Sequence, residues 1–409
     1  MKLFLDSYGC TLNQADAEII RGVLSSHEFT DLSEAEAVII NTCAVKGATQ
    51  SKMLSRIREY LGMGKRVIVA GCLPKINRKI LEGFPVSIVD TNSIDKLPLA
   101  IKSRAIFTSP VHKNKLNLPY CIDDSPTGIV AISEGCLSRC AFCGTKNARG
   151  DLTSYPIENV VARVRWLVEH GKKEIYLTAQ DTGCYGLDIK TNLAELLNEV
   201  LKVKGNYRIR VGMMNPTYAL KLLNELVAIY KDERVYKFLH LPIQSGSDRV
   251  IREMNRGYTT KQVEMVVDKF RKNIDDLCLS TDIIVGFPTE TDADFKKTVE
   301  FIKGIKPDIT NVSKFYPRPN TPAARMKLLT TQVLKERSVT LSKICRELSL
   351  EQNKKYVGRV VDCLITDRRR KLARAHNFKQ VFLDKLNGDF VSVKIVGAGY
   401  SHLKGKINK

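Results

Sequence analysis

Strand-like and helix-like segments alternate along most of the 409 residues, and this alternation limits the possible folds more than any other feature. In the first hundred residues, short Val/Ile-rich runs are separated by amphipathic stretches, each long enough for one helix. Strands joined through helices run parallel, because a right-handed crossover returns the chain to the same sheet. The sequence therefore predicts an open parallel α/β sheet with the strands KLFLDSY, AVIINT, RVIVAG and VSIVD.

A second, longer alternation follows a linker rich in Lys, Asn and Pro at residues 109–128. Its strand-like segments are GIVAIS, KEIYLTA, YRIRVGM, YKFLHLPI, LCLSTDIIVG and ITNVSKFY. Six consecutive βα units predict a partial α/β barrel, in which the chemistry is expected at the carboxyl ends of the strands.

The chain contains eleven cysteines. It has no apolar run long enough to cross a membrane, and its first residues do not resemble a leader peptide. We therefore expect a cytoplasmic protein without a membrane partner. In that reducing compartment, cysteines serve metal or catalytic sites more often than disulfides.

Cys10, Cys43 and Cys72 each lie just past the end of a predicted strand. The usual fate of a single free cysteine is burial as a small hydrophobic residue. Three cysteines at strand exits, each among turn-forming residues, favour a shared site instead, because the carboxyl ends of parallel strands meet at one sheet edge.

The stretch SEGCLSRCAFCGTK places Cys136, Cys140 and Cys143 in a C-x3-C-x2-C pattern after the first strand of the second unit. Structural zinc is the alternative, but zinc uses four ligands, usually in paired C-x-x-C arms. Cys184 and Cys278 stand alone, and we interpret them as core residues. Three thiolates suit an iron–sulfur cluster that keeps one iron open for chemistry.

This spacing, with Phe142 just before the last thiol, resembles the signature of the radical S-adenosylmethionine (SAM) superfamily. In that superfamily, the amino and carboxylate groups of SAM chelate the open iron. One electron from the cluster then releases methionine and a 5′-deoxyadenosyl radical. The resemblance implies a substrate position with an unreactive C–H bond.

The order of the three units resembles the methylthiotransferases over essentially the whole chain. The segments EGCLSRCAFCGTKNARGDLTSYP, HLPIQSGSDRVIREMNRGYT and KFYPRPNTPAARM are similar to the archaeal and eukaryotic branch, which acts on tRNA carrying N6-threonylcarbamoyladenosine. The resemblance implies that a methylthio group replaces the hydrogen on carbon 2 of this adenosine, at position 37 beside the anticodon. It divides the chain into an N-terminal unit (1–108), a radical SAM core (122–350) and a TRAM-like unit (353–409).

The same resemblance implies two [4Fe-4S] clusters, with SAM as the further cofactor. The radical cluster and its catalysis are expected at Cys136, Cys140 and Cys143. The second cluster is expected at Cys10, Cys43 and Cys72, where an open iron would hold an extra sulfide. An external electron donor and a sulfur source are implied as partners.

Four further residues are candidates for binding SAM. Phe142 is expected to pack beside its adenine. Gln180 and Asp181, at the end of the second strand, would bind its ribose or amino-acid part, or cap the following loop. Gln244, with Ser245, would line the pocket at the fourth strand's exit or form an N-cap for the next helix.

The net charge of +21 favours a polyanionic partner over a merely solvated surface. Residues 351–409 alone hold 14 Lys/Arg and 5 Asp/Glu, and their short alternating strands predict a small antiparallel β-barrel resembling the TRAM domain. Arg149 is a candidate for guiding the anticodon loop of the tRNA into the site. The candidate phosphate contacts are Arg368, Arg369, Arg370, Lys371 and Arg374.

Two other functions stay open at this point. One is a methylthiotransferase for isopentenyladenosine tRNA or for an aspartate of a ribosomal protein. The basic tail disfavours the protein substrate, which is itself expected to be basic. The other is a non-catalytic iron–sulfur protein that binds RNA, which the intact three-cysteine spacing disfavours.

Overall fold

The computed structural model describes residues 1–43 and 47–408, without the side chains of residues 47–50. Its first strands are β1 (Lys2–Ser7), β2 (Glu28–Phe29), β3 (Ala37–Thr42), β4 (Arg66–Gly71), β5 (Ser87–Asp90) and β6 (Ile106–Phe107). They form one parallel sheet in the order β2-β1-β3-β4-β5-β6. The prediction of an open parallel α/β sheet is confirmed.

Helices cover both faces of this sheet, and its central strand is buried throughout. The helices are α1 (Thr11–Val23), α2 (Gly47–Gly62), α3 (Leu73–Ile76) and α4 (Leu97–Lys102). Side chains alternate along β3, so that Ile39 packs with α1 on one face and Ile40 packs with α2 on the other. This two-sided burial explains the unbroken apolar run in the sequence.

The central unit contains the six predicted parallel strands and one short antiparallel pair, β8 with β9. Its strands are β7 (Thr127–Ala131), β8 (Ser133–Glu134), β9 (Thr153–Ser154), β10 (Glu174–Thr178), β11 (Arg208–Val211), β12 (Phe238–His240), β13 (Cys278–Val285) and β14 (Ile309–Lys314). The parallel strands form the sheets β7-β10-β11 and β12-β13-β14, joined by a bridge between Ile209 and Val235. Across the described residues, β7 and β14 do not pair, so the barrel is partial as predicted.

The helices of this unit are α5 (Gly144–Arg149), α6 (Ile157–Glu169), α7 (Leu193–Leu201), α8 (Pro216–Lys221), α9 (Leu223–Ile229), α10 (Asp248–Glu253), α11 (Thr260–Asn273), α12 (Asp292–Ile305) and α13 (Thr331–Lys354). Thr259 and Thr291 begin α11 and α12 with capping boxes, which fix where these helices start. The long α13 packs on β14 and leads to the last unit.

The C-terminal strands form a small closed barrel in the order β15-β16-β17-β19-β18. They are β15 (Val360–Asp367), β16 (Leu372–Ala375), β17 (Gln380–Leu383), β18 (Phe390–Ala398) and β19 (Leu403–Ile407). The pair β17–β19 is parallel, whereas the sequence predicts an antiparallel barrel. An odd number of strands explains this difference, because a closed ring of five cannot be antiparallel at every pair.

A turn of this barrel inserts an aromatic side chain into the central unit. Phe378 has φ +69°, and its ring centroid lies 5.7 Å from that of Tyr176, 5.1 Å from Tyr236 and 4.7 Å from Phe238. Such backbone strain persists only where packing compensates for it. In the part of the chain that the structure describes, none of the helices combines the length and apolar character needed to cross a membrane.

Candidate functional site

The predicted N-terminal cysteines converge at the carboxyl edge of the first sheet. Cys10 immediately precedes α1, Cys43 directly follows β3, and Cys72 directly follows β4. Because β1, β3 and β4 are adjacent parallel strands, their ends share this edge. We call Cys10, Cys43 and Cys72 the N-terminal triad; the first is exposed and the other two are buried.

Close backbone packing holds the loops of this triad together. Gly9 has φ +113°, and a Cβ at this position would lie 2.9 Å from Cys43 Sγ, so only glycine fits. Asn13 donates from Nδ2 to the carbonyl oxygens of Tyr8 (2.9 Å) and Thr42 (2.8 Å). These two hydrogen bonds fix the loops that carry Cys10 and Cys43 relative to each other.

The donors of the N-terminal triad suit an iron–sulfur cluster. Burial raises the pKa of Cys72 to about 11, and the positive charge of Arg149 opposes this effect. Cys10 and Cys43 are close enough to raise the same pKa further. Such thiols become thiolates only next to additional positive charge, which coordinated iron provides. Three soft sulfur donors therefore fit this group, and their role as ligands stays a prediction.

Cys136, Cys140 and Cys143, which we call the loop triad, lie between β8 and α5. Gly135 has φ +71° and turns the chain into this loop. The backbone N–H of Cys143 donates to the carbonyl oxygen of Cys140 (3.1 Å), and that of Ser138 donates to Cys136 Sγ (3.3 Å). All three residues are half-buried, and their loop follows β7 and β8 at the carboxyl end of β7.

A buried arginine binds the loop triad. Arg256 donates from Nη1 to Cys140 Sγ (3.1 Å) and from Nη2 to the carbonyl oxygen of Pro242 (2.6 Å). Burial raises the pKa of Cys140, and the charge of Arg256 opposes that effect. Hydrogen bonds to cluster sulfurs tune reduction potentials. The sequence did not indicate Arg256 as a site residue, because 116 residues separate it from Cys140.

The predicted SAM residue Asp181 lies beside the loop triad. Its Oδ1 accepts hydrogen bonds from the backbone of Gly183 (3.1 Å) and Asn215 (2.9 Å). It therefore caps the following turn, and its burial raises the pKa of the carboxyl to about 6. Gln180 has a buried Oε1 without a hydrogen-bond partner in the described residues, so this atom can accept from a ligand.

Cys184 also belongs to this site, although the sequence suggested a core residue. Metal-binding atoms of Cys136, Asp181 and Cys184 all lie within 4.8 Å of one another. The pKa of Cys136 is lowered, chiefly by its hydrogen bond with Cys184. The feature of the sequence that could have indicated this role is the position of Cys184, which follows the second barrel strand at the reactive end of the barrel.

Phe142 and Gln244 occupy different environments at this end. Phe142 is partly buried against a cluster that includes Met254 and Phe287. Gln244 has φ +73° and donates its backbone N–H to the carbonyl oxygen of Asp282 (2.7 Å), which places it next to β13. Strained residues of this kind often occur at ligand sites. Ser245 is fully buried, so it does not line an open pocket.

The prediction that Arg149 guides RNA is wrong. Its side chain is 1% exposed and pairs with Glu134 (2.9 Å) and Asp16 (2.6 Å). Lys115 pairs with the same two carboxylates at 2.7 Å each. Burial opposes ionisation of Glu134, but the two cations outweigh it and keep its pKa well below the usual value. This buried network connects the N-terminal and central units beside Cys72.

The basic run of the last unit divides into four exposed members and one half-buried member. Arg368, Arg369, Arg370 and Lys371 are exposed at the turn between β15 and β16, where Arg368 pairs with Asp389 at 2.8 Å. The prediction that Arg374 contacts phosphate is wrong, because it lies 4.1 Å from the ring centre of Phe378 and 3.5 Å from Glu174. It holds the barrel against the central unit.

Two families match this chain. Residues 130–302 match the Radical SAM superfamily, and residues 2–89 match the uncharacterized protein family UPF0004. A Pyrococcus abyssi protein named probable threonylcarbamoyladenosine tRNA methylthiotransferase is 43% identical over 100% of this chain and 99% of its own length. The Homo sapiens threonylcarbamoyladenosine tRNA methylthiotransferase is 34% identical over 99% of this chain and 74% of its own length.

Solved structures resemble the fold at lower identity. The radical S-adenosylmethionine methyltransferase TsrM from Kitasatospora setae has a TM-score of 0.59 and 15% identity, covering 79% of this chain and 76% of that chain. At this identity the likeness concerns the fold alone.

Proposed function

The chain belongs to the threonylcarbamoyladenosine tRNA methylthiotransferase family within the radical SAM superfamily, and we propose that it converts N6-threonylcarbamoyladenosine at tRNA position 37 into its 2-methylthio derivative. It is a radical SAM enzyme that uses a [4Fe-4S] cluster and SAM. The observation that carries the proposal is the presence of two cysteine triads, one at the edge of the first sheet and one at the reactive end of the barrel.

Each triad has its own task in this proposal. Cys136, Cys140 and Cys143 hold the cluster that, with SAM bound, supplies the radical. The N-terminal triad holds a second [4Fe-4S] cluster, which supplies the place for a sulfur atom. Arg256 supports the first assignment, because it donates directly to a sulfur of the loop triad.

The residues around the loop triad bind SAM. Gln180 offers an unpaired buried acceptor, and Asp181 fixes the turn that carries Cys184. Phe142 and Gln244 complete the pocket from the cluster loop and the fourth strand. Their partial burial next to the triad is compatible with contacts to an adenine or an amino acid.

The anticodon loop of tRNA is the partner of the barrel mouth, and the C-terminal barrel acts as a TRAM-like RNA-binding unit. Arg368, Arg369, Arg370 and Lys371 are exposed and basic, so they can bind phosphates without reading sequence. We retain the boundaries 1–108, 122–350 and 353–409 for the three units. An external electron donor, a sulfur source and a cytoplasmic location belong to the same proposal.

The test is an anaerobic reaction analysed by nucleoside mass spectrometry. The protein is reconstituted with iron and sulfide, then mixed with SAM, a reductant and tRNA bearing threonylcarbamoyladenosine. The expected product is heavier than this nucleoside by one sulfur and one methylene. Transcripts bearing isopentenyladenosine are the matched control. Formation of 5′-deoxyadenosine without the thiomethylated product would refute the substrate while keeping the radical chemistry.

A further inference from the structure

The loop after β14 places a buried arginine next to the loop triad. Arg318 is 5% exposed. A Cβ on Gly144 would lie 3.2 Å from its Cβ and Cγ and 3.4 Å from its Cδ. Because Gly144 directly follows Cys143, the stem of Arg318 runs alongside the end of the cluster loop.

Hydrogen bonds hold the segment around Arg318 against the cluster loop. The backbone N–H of Ala323 donates to the carbonyl oxygen of Ala141 (3.0 Å). Asn147 donates from Nδ2 to the carbonyl oxygen of Pro319 (3.1 Å). These hydrogen bonds therefore hold the backbone that carries Arg318 beside the cluster loop.

One nitrogen of the Arg318 guanidinium, Nη1, has no acceptor in the part of the chain that the structure describes. This nitrogen is buried, and the guanidinium contacts the ring of Tyr316, 5.0 Å from Cζ to the centroid. The comparably buried Arg149 and Arg256 both donate to named acceptors. A buried charged donor without an acceptor is costly, which indicates that a ligand completes it.

The two triads are neighbours, because Ala148 of α5 packs in one cluster with Cys72, and the charged groups near Arg318 include one thiol of each triad. Burial lowers the pKa of Arg318, whereas the nearby groups of Tyr316, Cys43 and Cys143 oppose that effect. One of these thiols belongs to the N-terminal triad and the other to the loop triad. The guanidinium thus lies within electrostatic reach of both sites.

We propose that Arg318 binds an anionic sulfur group, a sulfide or an alkylthiolate, carried on the iron of the N-terminal triad. The inference rests on the function proposed above, which requires sulfur to reach a substrate beside the loop triad. A guanidinium offers a fork of charge-assisted hydrogen bonds to an anion and stays protonated when buried. Arg318 is then a positioning residue: it holds the sulfur by hydrogen bonds, and no electron is transferred in this binding.

The experiment measures thiolate affinity at the N-terminal triad alone. The full chain carrying Cys136→Ala, Cys140→Ala and Cys143→Ala is reconstituted anaerobically and reduced. Sodium methanethiolate is added while the electron paramagnetic resonance signal of the remaining cluster is followed. Adding Arg318→Gln is expected to raise the apparent Kd about tenfold or more, as for loss of a charge-assisted hydrogen bond. Arg325→Gln, an exposed arginine in the next turn, is the matched control and should leave the Kd unchanged.

Unchanged methanethiolate affinity in Arg318→Gln would overturn the proposal. So would a variant that keeps this affinity but loses SAM binding in the chain with both triads intact, since the guanidinium would then serve the SAM carboxylate. If Arg318→Gln does not take up iron, Arg318→Lys decides the question: it keeps the charge but not the fork, and a Kd raised about threefold is expected. The titration contains neither tRNA nor SAM, so a failed tRNA assay by the unmodified protein would be a separate result.

Discussion

The N-terminal triad and the loop triad offer the same three thiols but are built in opposite ways. The first collects cysteines from three loops of one sheet, at positions 10, 43 and 72, and two of them are buried. The second lies within one loop between positions 136 and 143, and all three thiols are half-buried. The geometry of the first depends on tertiary packing, whereas the second depends mainly on its own loop.

Their electrostatic environments differ in the same way. Cys140 accepts a hydrogen bond from Arg256, which belongs to the same barrel. Cys72 is influenced by Arg149, which comes from the central unit and pairs with carboxylates of both units. The N-terminal triad is therefore coupled to the interface between units through Arg149, whereas the contact of Arg256 with the loop triad stays within the barrel. The following predictions test that contrast.

The largest effect is expected from Cys140→Ala. This change removes one ligand of the loop triad and the acceptor of Arg256, so reductive cleavage of SAM should fall to background. The measurement is 5′-deoxyadenosine by liquid chromatography after anaerobic reaction. A variant that still forms 5′-deoxyadenosine would contradict the assignment of the radical site. Cys278→Ala, a buried cysteine of β13 outside the triads, is the control and should retain cleavage.

Cys43→Ala should distinguish the task of the N-terminal triad from that of the loop triad. Because this thiol belongs to the sheet edge, its loss should stop thiomethyl transfer and leave part of the SAM cleavage. Both products are measured in one reaction, as 5′-deoxyadenosine and as modified nucleoside. Full thiomethyl transfer by this variant would refute the role of the N-terminal triad.

Arg149→Met tests the coupling between the triad and the unit interface. It leaves Glu134 and Asp16 buried, with Lys115 as the remaining cation that pairs with both of them among the described residues. Removing one partner of a buried ion network costs about 3–5 kcal/mol of unfolding free energy. Urea unfolding measures this loss, and iron content should fall at the N-terminal triad before the loop triad.

The matched control for Arg149→Met is Arg370→Met. Arg370 pairs with Asp367 at 3.7 Å on the surface and is 78% exposed. An exposed pair of this kind contributes about 0–1 kcal/mol. Equal destabilisation by the two changes would show that the buried network has no special role.

The contrast between local and distant contacts also explains which features of the fold and the site could be predicted from the sequence. The alternation of strands and helices is a local pattern, so the parallel sheet, the six barrel strands and the strand-end positions of the cysteines followed from it and are confirmed. The misplaced residues are arginines whose partners are distant in sequence: Asp16 is 133 residues from Arg149. Composition shows a surplus of positive charge, but it does not show which cations the fold buries as ion pairs.

Cys184 and Arg318 were missed for a related reason. A lone cysteine is most often a core residue, and only the folded turn after β10 brings Cys184 next to Cys136. Arg318 lies in a Pro-rich loop that has no periodic pattern. Its neighbour Gly144 carries the only local hint, since a glycine after the last cysteine of the motif permits close approach by another chain segment.

The smallest expected effect is a change in the pH dependence of stability. It arises in α1, the helix that begins directly after Cys10. Glu18 on this helix faces the central unit, where burial, with some repulsion from Asp123, raises the pKa of its carboxyl to about 8. Lys172 and Arg163 oppose the shift without cancelling it. In the loop triad's helix α5, burial and the nearby carboxylate of Asp16 act on Arg149 in opposite directions and leave its pKa well above the usual value, so this group stays charged while Glu18 titrates.

The pH dependence follows from the two values for Glu18. The unfolded chain releases this proton near pH 4.5, whereas the folded protein keeps it until about pH 8. At this group the unfolded state therefore binds fewer protons between these values, and the contribution of Glu18 to stability falls as pH rises from about 4.5 to 8. Glu18→Gln should flatten this part of the stability profile, measured as the thermal midpoint at pH 5, 6.5 and 8, while Glu28→Gln at an exposed position should not. A stability profile that Glu18→Gln leaves unchanged would show that α1 packs against the central unit without a buried neutral carboxyl. The two triads would then differ in how the fold brings their cysteines together, but not in how the stability of their surroundings depends on pH.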